Sequence, residues 1–322
     1  VGENEAYGVT LTLMASGQHL AHPDEDKEKA RQLKQAARTK SEKTKVQQQA
    51  AANKAKSDKT ALSDKARIIV KNSQGDVVRT FVSKLKQGIN RITWSLESDG
   101  ALTMPGDEPK EDKDILTPGP EVVPGTYSIT VKLNEHEFET SAKVLQDPRF
   151  NVSTQDLTAS YDLQHQAVDM YSTLTKAAHA LVDSKKDLEL IKAMADKALS
   201  KITNAEDKAT NPASQLGSTA DVLLKKIAEL DKNLRTIPET NGIVDESYKV
   251  SSKVFTAWGY VGSRYGKPSP TAELYLAQGK AALKTSIAEV NNFLAQDIAQ
   301  FKEQYQQSGL GLLNSTPVIA VD

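Results

Sequence analysis

Cysteine is missing from all 322 residues, which removes disulfides, zinc–thiolate sites and thiol nucleophiles in one step and leaves no thiol–disulfide redox chemistry. An excess of either charge is missing too. Lys and Arg number 41 against 42 Asp and Glu, for a net charge of -1, so no global field draws the chain to nucleic acid or to an anionic membrane. No apolar run approaches the roughly 18 to 20 residues of a membrane span. The opening residues VGENEAYGVTLTL lack the basic-then-apolar order of a signal peptide. Val1, with no initiator Met, reads as the start of a mature or excised fragment.

What is present divides by period. Val9, Leu11 and Leu13 alternate with Thr10, Thr12 and Met14, which predicts a strand with one face suited to burial. From about His19 to Lys65 the chain is Lys, Gln, Ala, Asp and Glu with few large apolar residues, and reads as a polar helical or mobile insertion between strands. ARIIVKN, the turn Ser73-Gln74-Gly75-Asp76 and VVRTFVS predict a hairpin. Ile92, Trp94 and Leu96 then share one face of a strand, with Trp94 as the core anchor. Glu97 to Val123 carries four Pro and three Gly, too broken to read as a strand. Its carboxylates Asp107, Glu108, Glu111, Asp112 and Asp114 lack the spacing of a calcium loop and read as a solvated segment.

Two further strands alternate around Asn134-Glu135: Tyr127, Ile129, Val131 and Leu133 on one arm, Phe138, Thr140, Ala142 and Val144 on the other. Past Asp147-Pro148-Arg149 the period becomes 3.6. Ser153 or Thr154 is placed to cap a helix running through Leu157, Leu174, Leu188 and Ile202, as one long helix or as two broken near Asp183-Ser184. The polar stretch Thr203 to Ser214 ends it, and Leu216, Ala220, Leu223, Ile227, Leu230 and Leu234 mark a second helix. A third is expected from about Asp245 to Tyr265, with Tyr248, Phe255, Trp258 and Tyr265 as its bulk. Ser269 and Pro270 open the last helix, whose stripe includes Val290, Leu294, Ile298, Phe301 and Tyr305. The apolar tail LGLLNSTPVIAVD is expected to fold back on the bundle end or the sandwich.

The expected fold is α+β and multidomain. Residues 1–148 form a small antiparallel immunoglobulin-like β-sandwich with the insertion at about 19–65, and residues 149–322 form a long, antiparallel four-helix bundle with a C-terminal tail. No nucleophile elbow, phosphate-cradling glycine loop, dinucleotide fingerprint or His-Glu-x-x-His occurs. His165 and His179 share a helix but stand nearly four turns apart, too far to hold one metal. No catalytic residue, metal ligand or cofactor is assigned. Trp258, Tyr260 and Tyr265 are the candidate ligand or partner surface, an aromatic platform for carbohydrate or peptide if their rings are exposed and coplanar.

The order GENEAYGVTLTL, ARIIVKNSQGDVVRTF, GINRITWSL, GPEVVPGTYSITVKLNEHEFETSAKVLQDPR, STQDL and KPSPTAE resembles the C-terminal region of large exported bacterial proteins with sortilin-type or BNR-repeat β-propellers, a group often described as glycosyl-hydrolase-like. The β part alone is similar to the immunoglobulin-like domain of the flagellar hook-capping protein. The resemblance implies a non-catalytic structural or interaction module of an exported protein, periplasmic or at the cell surface. Its partners would be an upstream β-propeller of the same protein and another protein, with no nucleic acid and no membrane span. It also implies that any glycoside hydrolase-like site would lie on the propeller. Ser98-Asp99-Gly100 only approximates a propeller repeat and does not match it. A carbohydrate- or peptide-binding module is the alternative.

Overall fold

The computed structural model describes residues 7–17, 19–24, 26–31, 33, 62–106, 115–235 and 245–310. Of these residues about 52% are helical and 22% strand, in small antiparallel sheets and long helices. Two compact units emerge: Val1–Gly100 with Glu111–Thr154, and Ala101–Lys110 with Gln155–Asp322. The change of period near Pro148 thus lies close to the change of unit, but residues 101–106 belong with the helices.

The first unit contains strands β1 (Val9–Ala15), β2 (Lys65–Lys71), β3 (Val77–Lys84), β4 (Gly88–Trp94), β5 (Glu97–Asp99), β6 (Pro118–Glu121), β7 (Gly125–Leu133) and β8 (His136–Val144). They form a four-stranded sheet in the order β3-β2-β7-β8 and two ribbons, β1-β4 and β5-β6. Alternation does its expected work in the middle of the large sheet. Ile68 pairs with Val131 and Val70 with Ile129, and all four are buried, the arrangement in which period-two apolar rows stabilise a half-covered sheet. Trp94 is 2% exposed, meets Tyr127 edge-on at 5.3 Å and donates its indole N–H to the Glu97 carbonyl at 2.8 Å.

Three expectations for this unit change. The segment from Glu97 to Val123 contains two short strands, because Gly100 and Gly119 let backbones approach where a Cβ would lie 2.6 Å from the Pro118 carbonyl oxygen or 2.5 Å from that of Asp99. The start of the supposed insertion is structural: Leu20 is fully buried and Ala21 bridges to Lys86 in parallel. Residues 26–31 are helical; the rest of the insertion, apart from residues 19–24, 33 and 62–65, and the carboxylates at 107, 108, 111, 112 and 114 lie outside the described residues. Finally, β8 buries only the end of the row Phe138, Thr140, Ala142 and Val144: Val144 is buried and Ala142 half-buried, whereas Phe138 is 61% exposed and Thr140 is exposed as well.

The second unit contains α1 (Thr154–Leu199), α2 (Ala205–Thr210), α3 (Pro212–Leu234), α4 (Val250–Gly262), α5 (Pro270–Asn292), a π-helical turn (Phe293–Ile298) and α6 (Ala299–Gln307). Helix α1 is continuous over 46 residues, about 69 Å at 1.5 Å per residue; Asp183-Ser184 contains no breaker, and Asp183 pairs with Lys186 one turn on. The polar stretch that ends α1 is itself mostly helix. Asn204 caps α2 by accepting from the Glu206 N–H, Asn211 caps α3 by accepting from the Ala213 N–H, and Pro212 occupies a first-turn position where its missing N–H costs nothing. Ser269 caps α5 as anticipated.

Leu174, Leu181, Leu188, Leu216, Leu223, Ile227, Val254, Leu276, Leu283 and Phe293 all enter one buried cluster. Here α4 departs from expectation: it starts at Val250 and buries Val250, Val254, Ala257 and Val261, while Tyr248, Phe255 and Tyr265 are exposed. Small residues are selected because α5 comes close. A Cβ on Gly279 of α5 would sit 2.6 Å from the Met170 methyl and 3.5 Å from the Ala257 Cβ. The last stripe also changes phase. Phe293 is 1% exposed whereas Leu294 and Ile298 are only partly buried, because the π turn adds a residue to the helical period. The tail after Leu310 lies outside the described residues.

Candidate functional site

The three aromatic candidates come from α4 and the turn after it. Positions 258 and 260 are two residues apart, about 200° around a helix, so Trp258 and Tyr260 point to different sides. Trp258 is partly buried against the helical core, with its ring perpendicular to Tyr171 at 5.7 Å; Phe255 meets the same Tyr171 at 5.3 Å. Tyr260 is 40% exposed and Tyr265 47% exposed. Tyr260 lies parallel to Tyr275 of α5, with centroids 4.2 Å apart and planes at 14°. Hydrogen bonding to Tyr275 pushes the Tyr260 phenol up from its ordinary range.

The structure therefore pairs Tyr260 with a residue outside the sequence-based trio and places Trp258 in a separate aromatic cluster. Tyr275 was missed because it sits beside Leu276, the member of the apolar stripe, and a period places a residue on a face without saying which neighbouring ring it meets. The stacking also limits what the pair can do: each ring covers one face of the other, leaving one outward face rather than a broad side-by-side surface.

Among the described residues, clefts open in the helical unit. One, of about 390 Å³, is lined by Leu190, Ile191 and Met194 of α1 with Ile298, Phe301 and Tyr305. Another, of about 640 Å³, is more polar and takes Lys253, Thr256, Tyr275, Gln278 and Thr285 into its wall. Neither is lined by Trp258, Tyr260 or Tyr265.

Other chemistry-bearing side chains are spread out. His179 Nε2 lies 3.0 Å from the Thr103 carbonyl, a contact that requires this nitrogen to carry the proton. His165 meets Tyr161 edge-on at 4.3 Å, and its burial outweighs nearby Asp169 and Asp162 in holding the imidazole below its usual 6.5. Among the described residues no three His, Asp or Glu side chains gather as a metal ion would require, and no helix is long and apolar enough to cross a membrane.

Buried polar groups instead close on backbone. Arg79 Nη1 donates to Asp99 Oδ1 at 3.0 Å and to the Leu116 and Thr117 carbonyls at 3.0 and 2.8 Å. Ser98 donates to the Pro120 carbonyl, and the Tyr127 hydroxyl to that of Val123. No protein-family model, curated protein or solved structure matches this chain.

Proposed function

We propose that the chain is a non-catalytic structural and interaction module of a larger exported protein that carries a β-propeller. The observation that carries this reading is where the buried polar groups are spent. Arg79, Ser98, Trp94 and Tyr127 each hold a backbone carbonyl, which is scaffolding chemistry rather than chemistry aimed at a substrate. The β unit is an immunoglobulin-like sandwich on this reading. Its support is the Tyr127 hydroxyl reaching back four residues to Val123, as a tyrosine corner does, beside the Trp94 anchor. The helical unit is a four-helix bundle of α1, α3, α4 and α5 with its continuation. Support comes from the shared cluster and from ion pairs between helices, Lys192 with Asp221 and Lys226 with Asp297 at 2.7 Å.

Determining the reading frame upstream of Val1 tests the context: propeller repeats are expected there, and a frame without them overturns it. Hydrolysis of a glycan or peptide library by the 322-residue chain would overturn the non-catalytic role.

The exposed Tyr260 and Tyr265, with partly buried Tyr275 stacked on Tyr260, favour a second role, recognition of carbohydrate or peptide by these three rings. Quenching of tyrosine fluorescence by soluble oligosaccharides, lost in Tyr260→Ala and Tyr275→Ala, would support it; unchanged fluorescence across a glycan panel would exclude carbohydrate.

A further inference from the structure

Strand β8 ends the four-stranded sheet, and its nine residues contain no Pro or Gly to discourage pairing with another chain. Among the described residues no strand lies on its outer side. The first part of its inner-facing row is uncovered as well: Phe138, opposite buried Val131, is 61% exposed, and Thr140, opposite buried Ile129, is exposed too, while Val144 at the strand's end is buried.

The backbone fixes which groups face outward. Leu133 and His136 flank a two-residue loop, with Asn134 at φ 53. The pair flanking such a loop is hydrogen-bonded, and antiparallel pairing alternates from there. The outward N–H and C=O groups are therefore those of Glu137, Glu139, Ser141 and Lys143.

We infer that β8 is a self-association edge: two copies of the chain pair their β8 strands antiparallel about Thr140, joining two four-stranded sheets into one. In this register the outward groups of each strand meet outward groups of the other. Glu137 faces Lys143 of the partner copy in both directions, Glu139 faces Ser141, and Phe138 packs across from Ala142. Lys132 already pairs with Glu137 at 2.9 Å, so Lys132, Glu137, Glu139 and Lys143 sum to zero in each copy. Moving the axis to Glu139 sets that carboxylate against itself. Moving it to Ser141 leaves His136 and Glu137 unpaired. Self-association through this edge is independent of whether the chain supports a propeller.

The chain has no cysteine, so one introduced thiol reports without background. Thr140→Cys in the full chain is expected to give a covalent dimer under mild oxidation. Non-hydrogen-bonded antiparallel pairs have Cα atoms about 4.5 Å apart, within disulfide reach. Ser73→Cys, at the exposed tip of the β2–β3 turn, is expected to form no covalent dimer under the same oxidation. In sedimentation velocity of the cysteine-free chain, Lys143→Glu should weaken dimerisation about tenfold or more, and Glu137→Lys with Lys143→Glu should restore it. A wild-type chain monomeric up to the highest soluble concentration overturns the inference. So does cross-linking of Thr140→Cys no faster than Ser73→Cys, or rescue by Glu139→Lys instead of Glu137→Lys.

Discussion

Arg79 and Asp99, twenty residues apart, form an ion pair of 3.0 Å in which the guanidinium side chain is 9% exposed. The same Asp99 oxygen accepts from the Thr80 N–H, and the same Arg79 nitrogen reaches the Leu116 and Thr117 carbonyls. One side chain thus ties β3 to β5 and to the residues leading into β6. The Ser98-Asp99-Gly100 triplet, which does not match a propeller repeat, is used here to dock a ribbon.

Replacing Arg79 with Met should cost about 3 kcal/mol, because it strands a carboxylate and two carbonyls. Partial exposure of Asp99 keeps the loss at the lower end of the range for broken buried pairs. Arg79→Met with Asp99→Asn should be less destabilised than the sum of the single variants, which urea denaturation of all four proteins would measure.

Gly8 should resist substitution more than Gly75. Both have positive φ, 121 and 89, but a Cβ on Gly8 would lie 2.1 Å from the Trp94 carbonyl oxygen, whereas one on Gly75 meets nothing within 4 Å. Gly75→Ala is expected to cost about 1 kcal/mol of backbone strain, and Gly8→Ala a further 1 to 3 kcal/mol as the β1-β4 ribbon shifts. Thermal unfolding of the two variants separates conformational strain from collision.

The π turn makes a testable claim about register. Phe293→Ala should cost about 3 to 5 kcal/mol, the range for emptying a buried aromatic site, while Leu294→Ala, at a partly buried position, should cost less. An uninterrupted stripe through Leu294 would reverse that order in denaturant melts.

His165 should titrate below 6.5, since burial disfavours its charged form. A lowered histidine pKa means that the folded state binds the proton less readily than the unfolded chain. Its contribution to stability is therefore complete above 6.5 and falls as pH drops from there through the lower folded value. NMR titration of the imidazole should show the shift, and Asp169→Asn should lower the value further by removing the larger of the two opposing charges.

Asp147 should show a depressed value for the contrary reason. The Arg149 side chain and backbone N–H both hydrogen-bond its carboxylate and lower it from 3.8 to about 2. Its stabilisation is present above 3.8 and disappears as pH falls through about 2. Arg149→Ala should return the carboxyl only part of the way to 3.8 in an NMR titration, because the backbone donor remains.

Much of the architecture was legible in local pattern. The strands at β1 to β4, β7 and β8, the Trp94 anchor, the helical apolar repeat of α3 and the Ser269-Pro270 start of α5 each follow from side-chain period or capping chemistry within a few residues. The ribbon β5-β6 was not legible, because two glycines and a distant arginine create it. Nor was the small-residue face of α4, which depends on how closely α5 approaches. Among the site candidates, sequence supplied Trp258, Tyr260 and Tyr265 as aromatic mass, but the partnership of Tyr260 with Tyr275 arises between helices.

Local alternation and helical spacing determined which residues share a face, because those periods are properties of the backbone itself. Tertiary structure alone decided which faces are covered. Val131 and Phe138 are paired residues on one side of one sheet, yet the first is buried and the second exposed, because covering a face takes a second layer that neither strand encodes.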